Sequence, residues 1–191
     1  MIGAIKMKKL RKRFAREGGN ILLLFAGSLI LIIFMIGVAL DLGMIYMRRN
    51  DLVDLCQLAR DERFTYQDTI RYSDNPGRET YEIVANTMRN NGFNGTITVF
   101  FFEREPEHNY RDYRVRIQLT EQYRYTFLRL FGGDTVAITT WLDGGENYGE
   151  SGADMIWYPK LPCSEYNGSY TGTADGPFVY NPADFPTDWD L

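Results

Sequence analysis

Few residues of this chain have the types and spacing that catalysis or metal binding requires. Its one histidine, His108, falls in a polar turn between two predicted strands, where a lone imidazole reads as solvated. Cys56 and Cys163 form no Cys-x-x-Cys, and no helix carries the paired histidines of a zinc site. Glu103 with Glu105, and Asp188 with Asp190, are spaced to share a strand face and could serve as an acid and base or hold calcium. The spacing of an EF-hand loop is missing, however, and no pocket that would raise a carboxyl pKa is foreshadowed. Gly132-Gly133 and Gly144-Gly145 lack the lysine of a phosphate loop and fit turns. Asn94-Gly95-Thr96 and Asn167-Gly168-Ser169 match glycosylation acceptors, a pattern frequent by chance. The expectation is a protein that is not an enzyme, with no catalytic residues, no cofactor and no metal.

The elements that carry these residues are more informative. Ile21 to Leu40 are twenty uncharged residues, preceded by Lys6, Lys8, Lys9, Arg11, Lys12, Arg13 and Arg16. At about 1.5 Å per residue such a helix covers roughly 30 Å, the hydrocarbon core of a bilayer. A cleaved signal peptide has a shorter apolar region, about 7 to 15 residues, ending in small residues. Ala39-Leu40-Asp41-Leu42-Gly43 offers no such site, so the run reads as an uncleaved single-pass signal-anchor. The positive-inside rule then puts the N-terminus in the cytoplasm and the rest of the chain outside the cell membrane.

The basic arm contributes +7 to a net charge of -4, leaving -11 for the rest. An acidic exported part argues against nucleic-acid binding, and the arm suits anionic membrane lipid. With the span and arm set aside, about 150 residues remain, enough for one modest domain. Both cysteines lie on the exported side, where a Cys56–Cys163 disulfide is permitted; Cys56 equally suits a buried helical position.

Beyond the span, Leu42, Ile45, Tyr46, Leu52, Val53, Cys56 and Ala59 recur at helical steps, which predicts one helix from about Asn20 to about Phe64. Turn formers at Ser73 to Gly77 precede a second helix, Glu79 to Asn90. Thr96 to Phe102, Tyr113 to Thr120 and Thr135 to Leu142 have the β-branched, aromatic or alternating character of strands. From Asp143 the chain carries nine acidic residues, five prolines and many aromatics, without a pattern for a long helix or regular strand. The expected division is a basic arm (1–19), a transmembrane helix (20–41), an exported α+β domain (42–142) and an irregular acidic aromatic tail (143–191).

Arg16-Glu17-Gly18-Gly19-Asn20, entering the span, and Gly37-Val38-Ala39-Leu40-Asp41-Leu42-Gly43, leaving it, resemble the TadE/TadG-like pseudopilins of tight-adherence (Flp) pilus systems. The likeness continues through Tyr46, Arg49 and Leu52 into Ala59-Arg60, and returns weakly at Tyr125 to Gly132. A cut after Gly19 would place Leu24 where filament-packing pseudopilins usually carry glutamate. The resemblance implies a pilin-like α+β fold, a long N-terminal helix packed on a small antiparallel sheet. It also implies partners among other pilin or pseudopilin subunits and the pilus assembly platform. On this likeness Gly37, Asp41, Gly43, Tyr46, Arg49 and Leu52 are the candidate assembly residues. Asp41 taken alone reads more simply, as a carboxylate in water marking the membrane boundary. A different function, a membrane-tethered module whose aromatic tail captures a carbohydrate or wall polymer, is the alternative.

Overall fold

The computed structural model describes residues 3–105, 110–148 and 159–190, and of 3–20 and 147–148 the backbone alone. His108 and Trp157 therefore lie outside the described residues, as do the side chains of the basic arm. The element order is α1 (Gly3–Thr65), α2 (Gln67–Arg71), α3 (Pro76–Asn90), β1 (Thr96–Glu103), β2 (Arg111–Arg124), β3 (Thr135–Tyr148), β4 (Gly168–Thr173) and β5 (Val179–Pro182). Short 3-10 turns occupy Leu128–Phe131 and Cys163–Glu165.

The chain divides into two compact units. One comprises 1–44 with 124–134; the other comprises 45–123 with 135–191. α1 is the one helix, among the described residues, that is apolar and long enough to cross a membrane, with a mean hydropathy of 3.0 in its most apolar window. Ile21, Leu22, Leu23, Leu24 and Phe25 of this helix are all exposed.

The second unit is an α+β domain. Its sheet has the order β3-β2-β1-β4-β5, with β1 antiparallel to both β2 and β4, and β4 antiparallel to β5. Alternation along β1 sends Ile97, Val99 and Phe101 to one face, and the pairing of Val99 with Ile117 aligns them with Val115, Ile117 and Leu119 of β2. Leu52, Cys56 and Ala59 of α1 and Tyr81, Val84, Ala85 and Met88 of α3 cover that face. α3 starts earlier than the periodicity predicts because Asn75 caps it, accepting the Arg78 amide at 2.8 Å, with Pro76 following in the first turn.

The segment after Asp143 departs most from expectation. β3 runs on to Tyr148, and β4 and β5 come from the stretch expected to be irregular. β4 lies beside β1 inside the sheet, and Tyr166 and Tyr170 enter the core with 0% and 1% exposure. Glycines at 168 and 172 and a single large apolar side chain hide this strand from a periodicity test. On the opposite face, Phe185 meets Phe102 edge-on at 5.6 Å, and Arg116 binds both Asp143 and Asp188, drawing residues 185–189 against the sheet.

The two cysteines are separate free thiols, both buried. Cys56 Sγ faces the Ile117 carbonyl, and Cys163 Sγ lies 2.9 Å from Tyr166 Oη. Each is used as a small core residue, so the permitted disulfide is not made.

Candidate functional site

The expected assembly residues separate into three environments. Leu52 is fully buried in the core of the second unit. Gly43, Tyr46 and Arg49 are exposed, Tyr46 at 65%, and a Cβ added at Gly43 would meet no atom within 4 Å. Gly37 and Asp41 are engaged by the chain's own loop between β2 and β3, inside the first unit.

The engagement follows from the loop's backbone. Leu128–Phe131 forms one 3-10 turn, and the amides that enter such a turn have no partner within it. Asp41 supplies the acceptors: Thr126 N donates to Oδ1 at 2.9 Å, and Phe127 N and Leu128 N donate to Oδ2 at 3.0 and 2.7 Å. The carboxylate is 0% exposed, so it is not the solvated boundary marker that the residue alone suggested. A buried carboxylate is tolerable only when its lone pairs are filled, and three charge-assisted bonds from a nest of amides fill them.

The remaining loop bonds close the structure on itself. Tyr125 N donates to Asp134 O at 3.1 Å across the base, and Leu130 N to Phe127 O at 3.0 Å. Gly132 takes φ 94°, a left-handed conformation that favours glycine, and so lets Gly133 N reach back to Leu128 O at 3.1 Å. One turn before Asp41, Gly37 gives the loop room: a Cβ there would stand 3.0 Å from Phe127 Cβ and 3.2 Å from its Cγ. Phe34 meets Phe131 edge-on, with centroids 4.6 Å apart. Gly37 and Asp41 are thus one seat, the glycine making space and the aspartate holding the backbone.

The acidic pairs noted in the sequence are not paired sites. Glu103 is 1% exposed, binds Arg111 through Nε at 2.5 Å and Nη2 at 3.0 Å, and accepts from Tyr166 Oη at 2.9 Å. Burial, then the Glu103 charge, pushes the Tyr166 hydroxyl far above the usual phenol range. Burial alone raises the Cys56 thiol to about 12. Asp188 is held below the usual carboxylate range by its bond to Arg116. These are features of a packed fold. Among the described residues no three His, Cys, Asp or Glu side chains are grouped as a metal site requires.

The loop's part in the site escaped sequence reasoning, although Tyr125 to Gly132 had stood out by resemblance. Backbone amides have no sequence signature. The available signal was an aspartate closing a run of twenty uncharged residues, which needs donors from somewhere, together with a second short, mostly apolar segment, Phe127 to Phe131.

A long apolar helix continuing into the core of an antiparallel α+β domain is the general architecture that the structure defines. Residues 19–59 match the family model described as putative Flp pilus-assembly TadE/G-like, so this segment of the chain is similar to that family. The match contains the span, Gly37, Asp41 and the start of the amphipathic half. No curated protein and no solved structure matches the chain.

Proposed function

We propose that the protein is a non-enzymatic, membrane-anchored subunit of a Tad/Flp pilus or related secretion filament, working with other pilin or pseudopilin subunits and the assembly platform. The observation that carries the proposal is the TadE/G-like match at 19–59, which falls on the apolar helix and its exit. In this reading the N-terminal arm is cytoplasmic and the α+β domain lies outside the membrane. The apolar helix holds the subunit in lipid and exchanges lipid for neighbouring helices during assembly. Gly43, Tyr46 and Arg49 are among the exposed residues of α1 beyond the apolar run and are open to a neighbour. Gly37 and Asp41 act indirectly, by fixing the β2–β3 loop on the helix.

The carbohydrate-capture alternative loses support from the tail, because Tyr166 and Tyr170 are spent in the core and Phe178 and Tyr180 pack against it. Crosslinking from position 46 in intact cells tests the proposal. A Tyr46 photo-crosslinker should trap a pilin or assembly-platform protein; adducts with neither, in cells making pili, would refute the role of this face.

A further inference from the structure

The loop held by Asp41 presents its least polar side chains outward. Leu130 is 80% exposed and Phe131 62%, in a segment whose backbone is otherwise closed. Their position sets what surrounds them. Phe131 packs on Phe34, six residues before Leu40, the last residue of the apolar run, or roughly 9 Å down the helix at about 1.5 Å per residue. Between the loop and α1 lies a cleft of about 140 Å³ lined by Ile30, Ile33, Val38, Leu130 and other apolar residues. Whatever medium covers Ile30 and Ile33 also covers this loop.

We infer that the Tyr125–Gly133 loop is a second membrane-inserted element, seated beside the span in the outer leaflet, with a lipid acyl chain filling the cleft. The inference rests on the membrane-anchor reading above and extends it from one helix to a helix and a loop. Hydrocarbon admits irregular backbone only when its polar groups are satisfied internally. Much of this loop's backbone meets that condition: the amides of 125, 126, 127, 128, 130, 132 and 133 have protein acceptors. The buried Asp41 carboxylate gains a reason for its position, since it neutralises three donors that would otherwise face lipid. Arg129, exposed between Leu128 and Leu130, has a side chain long enough to carry its charge back toward the headgroups. An 11-residue segment, 124–134, thereby belongs with the span although it is bracketed by two strands of the external sheet.

Spin labelling of the full chain in phosphatidylcholine–phosphatidylglycerol vesicles tests this. Nitroxides are attached to L130C, I33C and N94C, with the parent chain, whose thiols are buried, as the labelling blank. Relaxation by oxygen, which concentrates in hydrocarbon, is compared with relaxation by a water-soluble nickel chelate. The expected result is that position 130 follows position 33, open to oxygen and closed to nickel, while exposed Asn94 shows the reverse. Nickel access at 130 with oxygen access at 33 would overturn the inserted loop and leave the anchor standing. Nickel access at both would overturn the anchor and the loop together. Exclusion of both reagents at 130 would mean that protein, not lipid, covers the loop, and would also overturn the inference.

Discussion

Replacing Asp41 separates the bonds it accepts from the space it fills. Three amides, from Thr126, Phe127 and Leu128, donate to its two oxygens at 2.7 to 3.0 Å. A hydrogen bond to a charged group contributes about 1.5–3 kcal/mol, but the three share one carboxylate and are not additive. Water can recover part of the loss once the loop lifts. Asp41→Ala is therefore assigned about 3 kcal/mol, a rise of about 100-fold in loop opening. Asp41→Asn keeps one carbonyl oxygen, which can still serve Phe127 and Leu128 while the amide group turns on Thr126. Its cost is about 1.5 kcal/mol, or about tenfold. Asp41→Leu fills the volume without an acceptor and should behave like Ala. The assay is hydrogen exchange by mass spectrometry on the full chain in nanodiscs. Peptides covering 125–133 are followed, with those covering 97–103 as an internal reference. The order Ala and Leu, then Asn, then wild type is expected in the loop alone. Unchanged loop exchange, or an equal rise in the β1 peptides, would refute the clasp.

Gly37→Val should also raise loop exchange, since a Cβ lands 3.0 Å from Phe127, at an overpacking cost of about 1–3 kcal/mol; Gly43→Val, with nothing within 4 Å, should leave it unchanged. Glu103→Gln breaks a buried ion pair whose side chains are 0% and 1% exposed, and should cost about 3 kcal/mol, lowering the urea midpoint of the α+β domain by about 1–2 M. The Cys56 thiol is raised from 9.0 to about 12, so the folded state favours its protonated form. The stability it contributes is complete below pH 9 and is lost between 9 and 12; Cys56→Ala should flatten that part of a stability profile, and native protein at pH 8 should resist alkylation at both thiols.

What sequence could reveal depended on whether a residue's role is local. α1 is legible because its apolar run and the Leu52, Cys56, Ala59 stripe follow helical spacing, β1 because it is β-branched and aromatic, and β2 because its side chains alternate. β4 was hidden because its place is given by pairing of Val99 with Tyr170 and by the burial of Tyr166 and Tyr170, both long-range events. The same distinction divides the site. Gly37 and Asp41 could be singled out as unusual residues at a membrane boundary. The partners of Asp41 lie 85 to 87 residues away and act through main-chain amides, which any sequence possesses. The carboxylate's environment thus inverted the simplest expectation, from solvated marker to buried acceptor. Glu103 changed role in the same way, from a candidate acid to one half of an ion pair with Arg111.

The proposed role of this chain is that of a structural subunit in Tad/Flp pilus assembly. Surface pili counted by electron microscopy test it most directly, in cells lacking the gene and in the same cells carrying it again. Loss of pili in the deletion, recovery with the wild-type chain and failure to recover with Asp41→Ala, at equal membrane levels of both proteins, is the predicted result. Normal pili in the deletion strain would rule out that role.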